Sequence, residues 1–591
     1  MRRGAVLVLA GLLGLGAAVL AAPPREEALE RAAHLRVQGQ YRQAAAALRP
    51  LVRERPGDAE AALLLGQVLV DAGQPDEGAR IWSALVEEQR SSAEVYRAVI
   101  ERLRRAGLNT RAMDLMERAH RELDDPRPYA WGLTELCLQE GEYGRAVSAL
   151  LDYLDREPGR LALMEGRLLL LVRAERAAGR GSDSPGGDAV AARPTPDQEL
   201  RALGSVTAGL LRALDRAAET GDPARASRAL ATHSLRGSIA LEAGLGRRGL
   251  AAYTQAADLP GAAPLIYQFA SRAQAAGLNE TASRAYALAR AHVGGGPIGF
   301  QALLRQAQVE ESAGHWQVAT ALYRQLADQY PGRPEAAQAL LRVGQLILRQ
   351  GEDLQVARAA LERVLSADRS GRWRGEARQG LAECDLRAGD LAGARDAYEA
   401  LLADGAATRP EALYGLAEVA LYEGRYDAVV ERGDSLVARH ADHDLANDAL
   451  ELQLLVDEFG DRGQGLAAYA GALLLERQGR SDEAEAAWEA LAETGPEGLR
   501  ARSLLRWARL CRQPDVSLSL YERVVRTWPE SPYGLDARLG RAALLERLRG
   551  PKQALPEYEA ALLAHPESAR APQVRLEIER LRRLGPAGGA G

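Results

Sequence analysis

Apolar positions recur along this chain with a helical period, and glycine interrupts that period at regular intervals. The recurring unit is a turn glycine, a small residue five positions on, and a large apolar residue four further. Gly39-Gln40-Tyr41 leads to Ala44, Leu48 and Pro56; Gly73 leads to Gly78 and Trp82; Gly107 leads to Ala112 and Met116; Gly141-Glu142-Tyr143 leads to Ala146, Leu150 and Pro158. These glycines stand 34 residues apart. Looser copies follow at Gly244 with Gly249 and Tyr253, Gly277 with Ala282 and Tyr286, and Gly314-His315-Trp316 with Ala319, Tyr323 and Pro331. Others start at Gly389, Gly424 and Gly479, and the last are Tyr521 with Pro529 and Ala554 with Tyr558 and Pro566. The spacing predicts about fourteen helix pairs over residues 26–566. Glycine at the first turn takes positive φ and ends helix A. Small residues where helices A and B cross let the backbones approach, and Leu, Tyr or Trp fill the space beside them. Proline ends helix B. A single pair cannot bury its apolar face, so neighbours must stack.

This pattern resembles the tetratricopeptide repeat family, through the Gly66-type small residue in the first helix, Gly-x-Tyr at the turn, Ala in the second helix and Pro after it. The resemblance implies an all-α fold: an α-solenoid of antiparallel helix pairs forming a right-handed superhelix. It also implies a non-catalytic scaffold that binds proteins through a concave groove. By analogy with the family, helix A of the third unit points Arg97, Glu101, Arg104 and Arg105 to that groove, with Trp131 and Glu135 of the fourth unit beside them. Arg and Trp together suit a peptide or an anionic partner. Family members that grip a terminal carboxylate do so with Asn and Lys from helix A. This chain has Asn109, Asn279 and Asn447 and the single lysine Lys552, so that mode is not expected.

Breaks in the period divide the chain. Residues 22–178 read as an N-terminal repeat block and 197–566 as a C-terminal one. The Gly/Pro/Ser-rich segment 179–196 between them, which contains RGSDSPGGDAVAARPTP, reads as a disordered insertion inside one enlarged helix pair. That pair is formed by helices expected at Leu161–Ala178 and Asp197–Thr220. Gly294-Gly295-Gly296-Pro297 marks a second break, and near Asp444–Phe459 a helix lacks its partner. Residues 567–584 read as a polar capping helix and 585–591 as a flexible tail.

Composition narrows the class. Ala, Leu, Arg and Glu dominate and Phe occurs three times, as an all-helical chain requires. Net charge is −6 with both signs interspersed, so the basic stripe of a nucleic-acid binder is missing. The first residues carry an address. Met1-Arg2-Arg3 precedes an uninterrupted apolar run, Ala5–Ala22, closed by Pro23-Pro24. That is the layout of a secretory signal peptide, 1–21, cleaved after Ala21. An uncleaved anchor is the competing reading, because spanning helices need ~17–25 residues. Export places the protein in the periplasm or cell envelope, where membrane contact would come through an uncleaved N-terminus or a membrane partner.

Candidate chemistry is sparse. Gly244-Leu245-Gly246-Arg247-Arg248-Gly249 has the form GxGxxG, yet it follows a helix and coincides with the repeat's own turn, so it lacks the strand a dinucleotide site needs. His440-Ala441-Asp442-His443-Asp444 would need both imidazoles on one helical face and a remote third ligand to hold a metal. Cys137, Cys384 and Cys511 are far apart and read as small buried side chains within helices. No catalytic residue, metal site or cofactor is expected. The expected function is a scaffold that mediates protein–protein interaction in the bacterial cell envelope, with proteins, peptides or envelope polymers as partners. Segments such as Tyr323–Pro331 and Trp528–Tyr533 resemble repeats of outer-membrane assembly and envelope-division proteins. The alternatives are an accessory scaffold for exopolysaccharide or outer-membrane secretion, and a peptidoglycan-processing enzyme.

Overall fold

The structure, a computed structural model, describes residues 25–123, 127–179, 196–221, 225–293, 296–351, 353–404, 409–460 and 464–584. The expected signal peptide, the interior of the 179–196 insertion, Gly294 and Gly295, and the tail 585–591 lie outside them. The described residues are helices joined by short turns, with no strand among them. They divide into two units, residues 1–302 and 303–591.

In the first unit the helix pairs are α1–α2 (Arg25–Val37, Tyr41–Glu54), α3–α4 (Ala59–Asp71, Pro75–Glu88), α5–α6 (Ala93–Arg105, Asn109–Glu122) and α7–α8 (Arg127–Gln139, Tyr143–Arg156). Three single helices follow: α9 (Leu161–Gly179), α10 (Pro196–Arg201) and α11 (Ser205–Thr220). Pairing resumes with α12–α13 (Ala226–Glu242, Gly246–Ala256) and α14–α15 (Ala262–Ala275, Asn279–Ala291), and α16 (Pro297–Ser312) spans the unit boundary. The second unit continues with α17 (Trp316–Gln329), α18–α19 (Pro334–Gln350, Leu354–Ala367), α20–α21 (Arg374–Ala388, Leu391–Asp404) and α22–α23 (Arg409–Tyr422, Tyr426–Arg439). Next come α24 (Asp444–Phe459), α25–α26 (Gln464–Arg477, Ser481–Thr494), α27–α28 (Glu497–Leu510, Pro514–Thr527), α29–α30 (Pro532–Arg549, Pro551–Ala564) and α31 (Ala571–Leu584).

The turn inside a pair is one geometry used repeatedly. At the end of α3, Gly73 has φ +78°, its N–H donates to the Val70 carbonyl at 2.9 Å, and the Gln74 N–H donates to the Leu69 carbonyl at 2.9 Å. This double closure is the Schellman motif, and only glycine adopts its left-handed residue without strain. The same two bonds recur around Gly39, Gly107, Gly141, Gly244, Gly277, Gly314, Gly389, Gly424 and Gly479. The glycine spacing is therefore the spacing of chain reversals. Within a pair, close approach depends on absent side chains. A Cβ on Gly66 would lie 2.2 Å from Trp82 Nε1, and one on Gly78 would lie 2.5 Å from the Gly66 carbonyl oxygen. Trp82 is fully buried there, and its indole N–H donates to the Leu63 carbonyl at 3.2 Å. Between pairs, the second helix of one packs on the first of the next, as α2 does on α3, first helices also meet, as α1 does α3 and α3 does α5, and second helices are linked by ion pairs about one repeat apart. Asp76 binds Arg111, Glu87 binds Arg118, and Asp114 and Glu117 bind Arg145.

The regular pairing is interrupted at two places, and the second, at α24, is where the period predicts a helix without a partner. The stretch expected to be one helix over Asp197–Thr220 breaks at Ala202–Gly204, giving α10 and α11. Helix α11 packs mainly against α8 and α12, while α9 lies mainly on α12 and touches α11 through its own C-terminal half. In the second unit α24 packs on α22 and α23, and α25 returns to α22 and α20. Cys137 and Cys384 are buried, but Cys511 is half-exposed because it ends α27 rather than sitting within it. The last helix begins at Ala571, four residues after the expected start of the cap.

Candidate partner-binding face

The first helices of the opening pairs, α1, α3, α5 and α7, present one exposed row each. On α5 the buried side is Val95, Tyr96, Val99, Ile100 and Leu103, which leaves the opposite side to charge. At 3.6 residues per turn Arg97 and Arg104 fall on one edge of that exposed side, Arg102 on the other, and Glu101 and Arg105 between them. Glu101 and Arg105 form an ion pair at 2.8 Å with both side chains mostly in solvent. Such a pair contributes little to stability. Arg97 and Arg104 are exposed, as is Glu135. Trp131 is half-buried, and the guanidinium of Arg167, on α9, sits over its ring at 4.6 Å.

Two further arginines belong to this face. Arg36 of α1 donates to Asp71 of α3 at 2.5 Å, and Gln67 donates to the other oxygen of the same carboxylate at 2.9 Å. Arg102 is half-buried, with one N–H donated to the Ala98 carbonyl of its own helix at 3.0 Å. Burial, then the charges of Arg105 and Arg36, hold its guanidinium below the usual arginine range, and Glu101 pulls the other way. Arg36 and Arg105, each paired with a carboxylate, therefore act on Arg102 from two different helix pairs. The family analogy selects α5 and α7 but not Arg36 or Arg102. The available signal is the opposite charges of Arg36 and Asp71, separated by about one repeat.

Two sequence motifs are absorbed by the fold. Gly244, with φ +86°, ends α12, and the rest of the GxGxxG run opens α13. His440 ends α23, whereas His443 precedes α24 and accepts the Leu445 N–H at 3.3 Å, so the two imidazoles belong to different helix ends.

Models of the tetratricopeptide repeat match residues 35–102 and, in a second form, residues 304–372, 380–441 and 469–532. The chain carries tetratricopeptide repeats. Solved structures to which it is similar include the tetratricopeptide domain of P58(IPK), at 20% identity over 60% of this chain and 98% of that one, with a TM-score of 0.17. A tetratricopeptide repeat protein from Parabacteroides merdae is 15% identical over 48% of this chain and 98% of its own, with a TM-score of 0.24. The Cut9–Hcn1 hetero-tetramer of APC/C is 14% identical over 94% and 96%, with a TM-score of 0.22. None of the curated proteins matches the chain. No enzyme family is among the matches, and tetratricopeptide repeats as a class mediate protein–protein interaction. Among the described residues of this repeat protein, no helix is long and apolar enough to cross a membrane.

Proposed function

We propose that this tetratricopeptide protein is an exported scaffold of the bacterial cell envelope, and that the exposed row of α1, α3, α5 and α7 is the groove that holds an acidic segment of a partner protein. The observation that carries the reading is the gathering of Arg36, Arg102 and Arg105 on first helices, where Arg102 has no carboxylate bonded to it. A planar guanidinium in that position suits a partner's carboxylate, which it can meet with two parallel N–H donors. The basic start and the apolar run Ala5–Ala22 support export.

A photo-reactive residue at Ala98, between the arginines of α5, tests the site in living cells. The expected catch is one envelope protein, lost from the Arg102→Glu/Arg105→Glu variant. Equal capture by wild type and variant would overturn the assignment. Export is tested separately, by N-terminal sequencing of the periplasmic protein. Ala22 is expected as the first residue, and an intact Met1 on cytoplasmic protein would reject the signal peptide.

A further inference from the structure

Helix α9 is the element that the repeat pattern does not explain. Its inner side buries Met164, Leu168, Leu169 and Val172 against α11 and α12. Both of its acids also turn inward. Glu165 accepts from Arg272 of α14 at 2.7 Å, and that arginine reaches on to Ser238 of α12 at 3.1 Å. Glu175 accepts the Val206 and Thr207 amides at the start of α11, at 2.8 and 2.9 Å. On the rim, Arg173 binds Glu242 of α12 at 2.9 Å and Arg167 covers Trp131 of α7. A helix thus lies across the side of α12 and α14 that a regular repeat array would leave open.

The opposite side of α9 is unlike the surface of its neighbours. Leu163, Gly166, Leu170, Ala174 and Ala177 follow one another at three- and four-residue steps, so they form one line along the helix. Leu163 is 46% exposed and Leu170 63%, and Leu171 beside them is 41% exposed. No charged residue of α9 falls on that line. Arg167 flanks it on one side and Arg173 on the other. Glu165 and Glu175 are spent on α14 and α11, so α9 sets Arg167, Arg173 and Arg176 against the one carboxylate of Glu242 that pairs with Arg173, which leaves the borders of the stripe net positive.

We propose that this stripe is a docking surface for an amphipathic helix of a partner protein, one whose apolar seam is flanked by aspartate or glutamate. The apolar line supplies the seam, and the arginine borders select the sign of the flanks. A second copy of the same chain is disfavoured as the occupant, because two such stripes face to face would set arginine borders against each other. The surface adjoins α7 where Arg167 covers Trp131, but it includes none of the arginines of α1 and α5 and does not depend on their role.

The test uses the full chain and two labelled three-heptad peptides with leucine at the seam positions, one with glutamate and one with lysine on the flanks. The glutamate peptide is expected to bind at least about tenfold more tightly, a difference of about 1.4 kcal/mol. Leu163→Glu/Leu170→Glu should abolish that binding while shifting the melting temperature by no more than a few degrees, since both side chains are about half exposed or more. Arg102→Ala/Arg105→Ala should leave it unaltered, which separates this surface from the groove proposed above. Equal affinity for the two peptides, or full binding by the leucine variant, would overturn the proposal. So would a dimer of the chain that Leu170→Glu dissolves, which would make a second copy the occupant. Binding that arises only after deletion of residues 181–194 would make the chain's own segment the occupant, with the same consequence.

Discussion

At the scale of single residues, stability in this protein depends on small side chains at crossings and on polar groups that close turns. Ala146 is 1% exposed on α8, within the cluster that includes Leu133, Leu136 and Cys137 of α7. A carboxylate there would be buried without a partner. Ala146→Glu is expected to cost several kcal/mol and to lower the thermal midpoint clearly. A wild-type melting curve would show that α7 and α8 do not cross at this residue. Asp368 plays the complementary part between α19 and α20. Its carboxylate accepts the Ser370 hydroxyl at 2.6 Å, the Ser370 amide at 3.1 Å and the Trp373 amide at 2.6 Å. Burial pushes the group up, but these donors and the Gly371 amide outweigh it and hold it below the usual carboxylate range. A lowered folded value means that the stabilisation is present above the unfolded value, about 3.9, and is lost as pH falls through the folded one. Asp368→Asn sets an amide against the Trp373 N–H and should cost roughly 1–3 kcal/mol at neutral pH. Urea titrations at several pH values should show the gap between the two proteins closing below about pH 4.

At the scale of elements, the instructive helix is again α9. Its Glu175 is the cap of α11, accepting two amides and the Thr207 hydroxyl, in the space left by Gly204. Glu175→Ala is expected to cost about 1–2 kcal/mol. Hydrogen exchange should localise the effect, with the Val206 and Thr207 amides losing protection and those of α3 and α4 unchanged. This arrangement also marks where sequence reading stops. Pairs of helices were legible because Gly39, Gly73, Gly107 and Gly141 each close the same turn, and a left-handed residue has few chemical solutions. The face of α9 was not legible, because Leu168–Leu171 are four leucines in a row and point to every side of a helix. Direction then depends on Glu165 and Glu175, whose partners lie 107 and about 31 residues ahead. The candidate face divides in the same way. Helix A of the third pair was identifiable from its repeat register, whereas Arg36 joins Arg102 only through stacking of α1, α3 and α5.

At the scale of the whole molecule, a repeat array is held by contacts between neighbours, and its stability is close to a sum over adjacent interfaces. Helix α25 breaks that rule within the second unit. Its Arg477 donates to Glu383 of α20, 94 positions earlier, at 2.7 Å, and to Glu418 of α22 at 2.8 Å. Arg387 donates to the second oxygen of Glu383 at 2.5 Å and to the Leu348 carbonyl at 2.6 Å, which ties α18 into the same cluster. Arg477 thus bridges two carboxylates away from water, sharing Glu383 with Arg387 and serving as the cation bonded to Glu418. Burial first, with Glu383 and Asp448 adding and Arg477 opposing, holds Glu418 above the usual carboxylate range. Removing the cation while leaving the acids is the costly way to break such a cluster, and Arg477→Leu should lose about 3–5 kcal/mol. The pH dependence separates this from a simple packing defect. A carboxylate whose folded value is raised destabilises the fold above that value, and the penalty disappears below the unfolded value, about 4.3. The deficit of Arg477→Leu should therefore shrink as pH is lowered toward 4, and adding Glu418→Gln should recover part of it at neutral pH. Native-state hydrogen exchange supplies the spatial test. In the wild type α20, α22 and α25 should open as one cooperative block, because the ion cluster ties helices that are not neighbours in the array. In Arg477→Leu, α25 should open at lower free energy than α20, while α1–α8 keep their protection. Protection lost evenly over both units would mean that Arg477 acts on global stability alone and does not couple these helices.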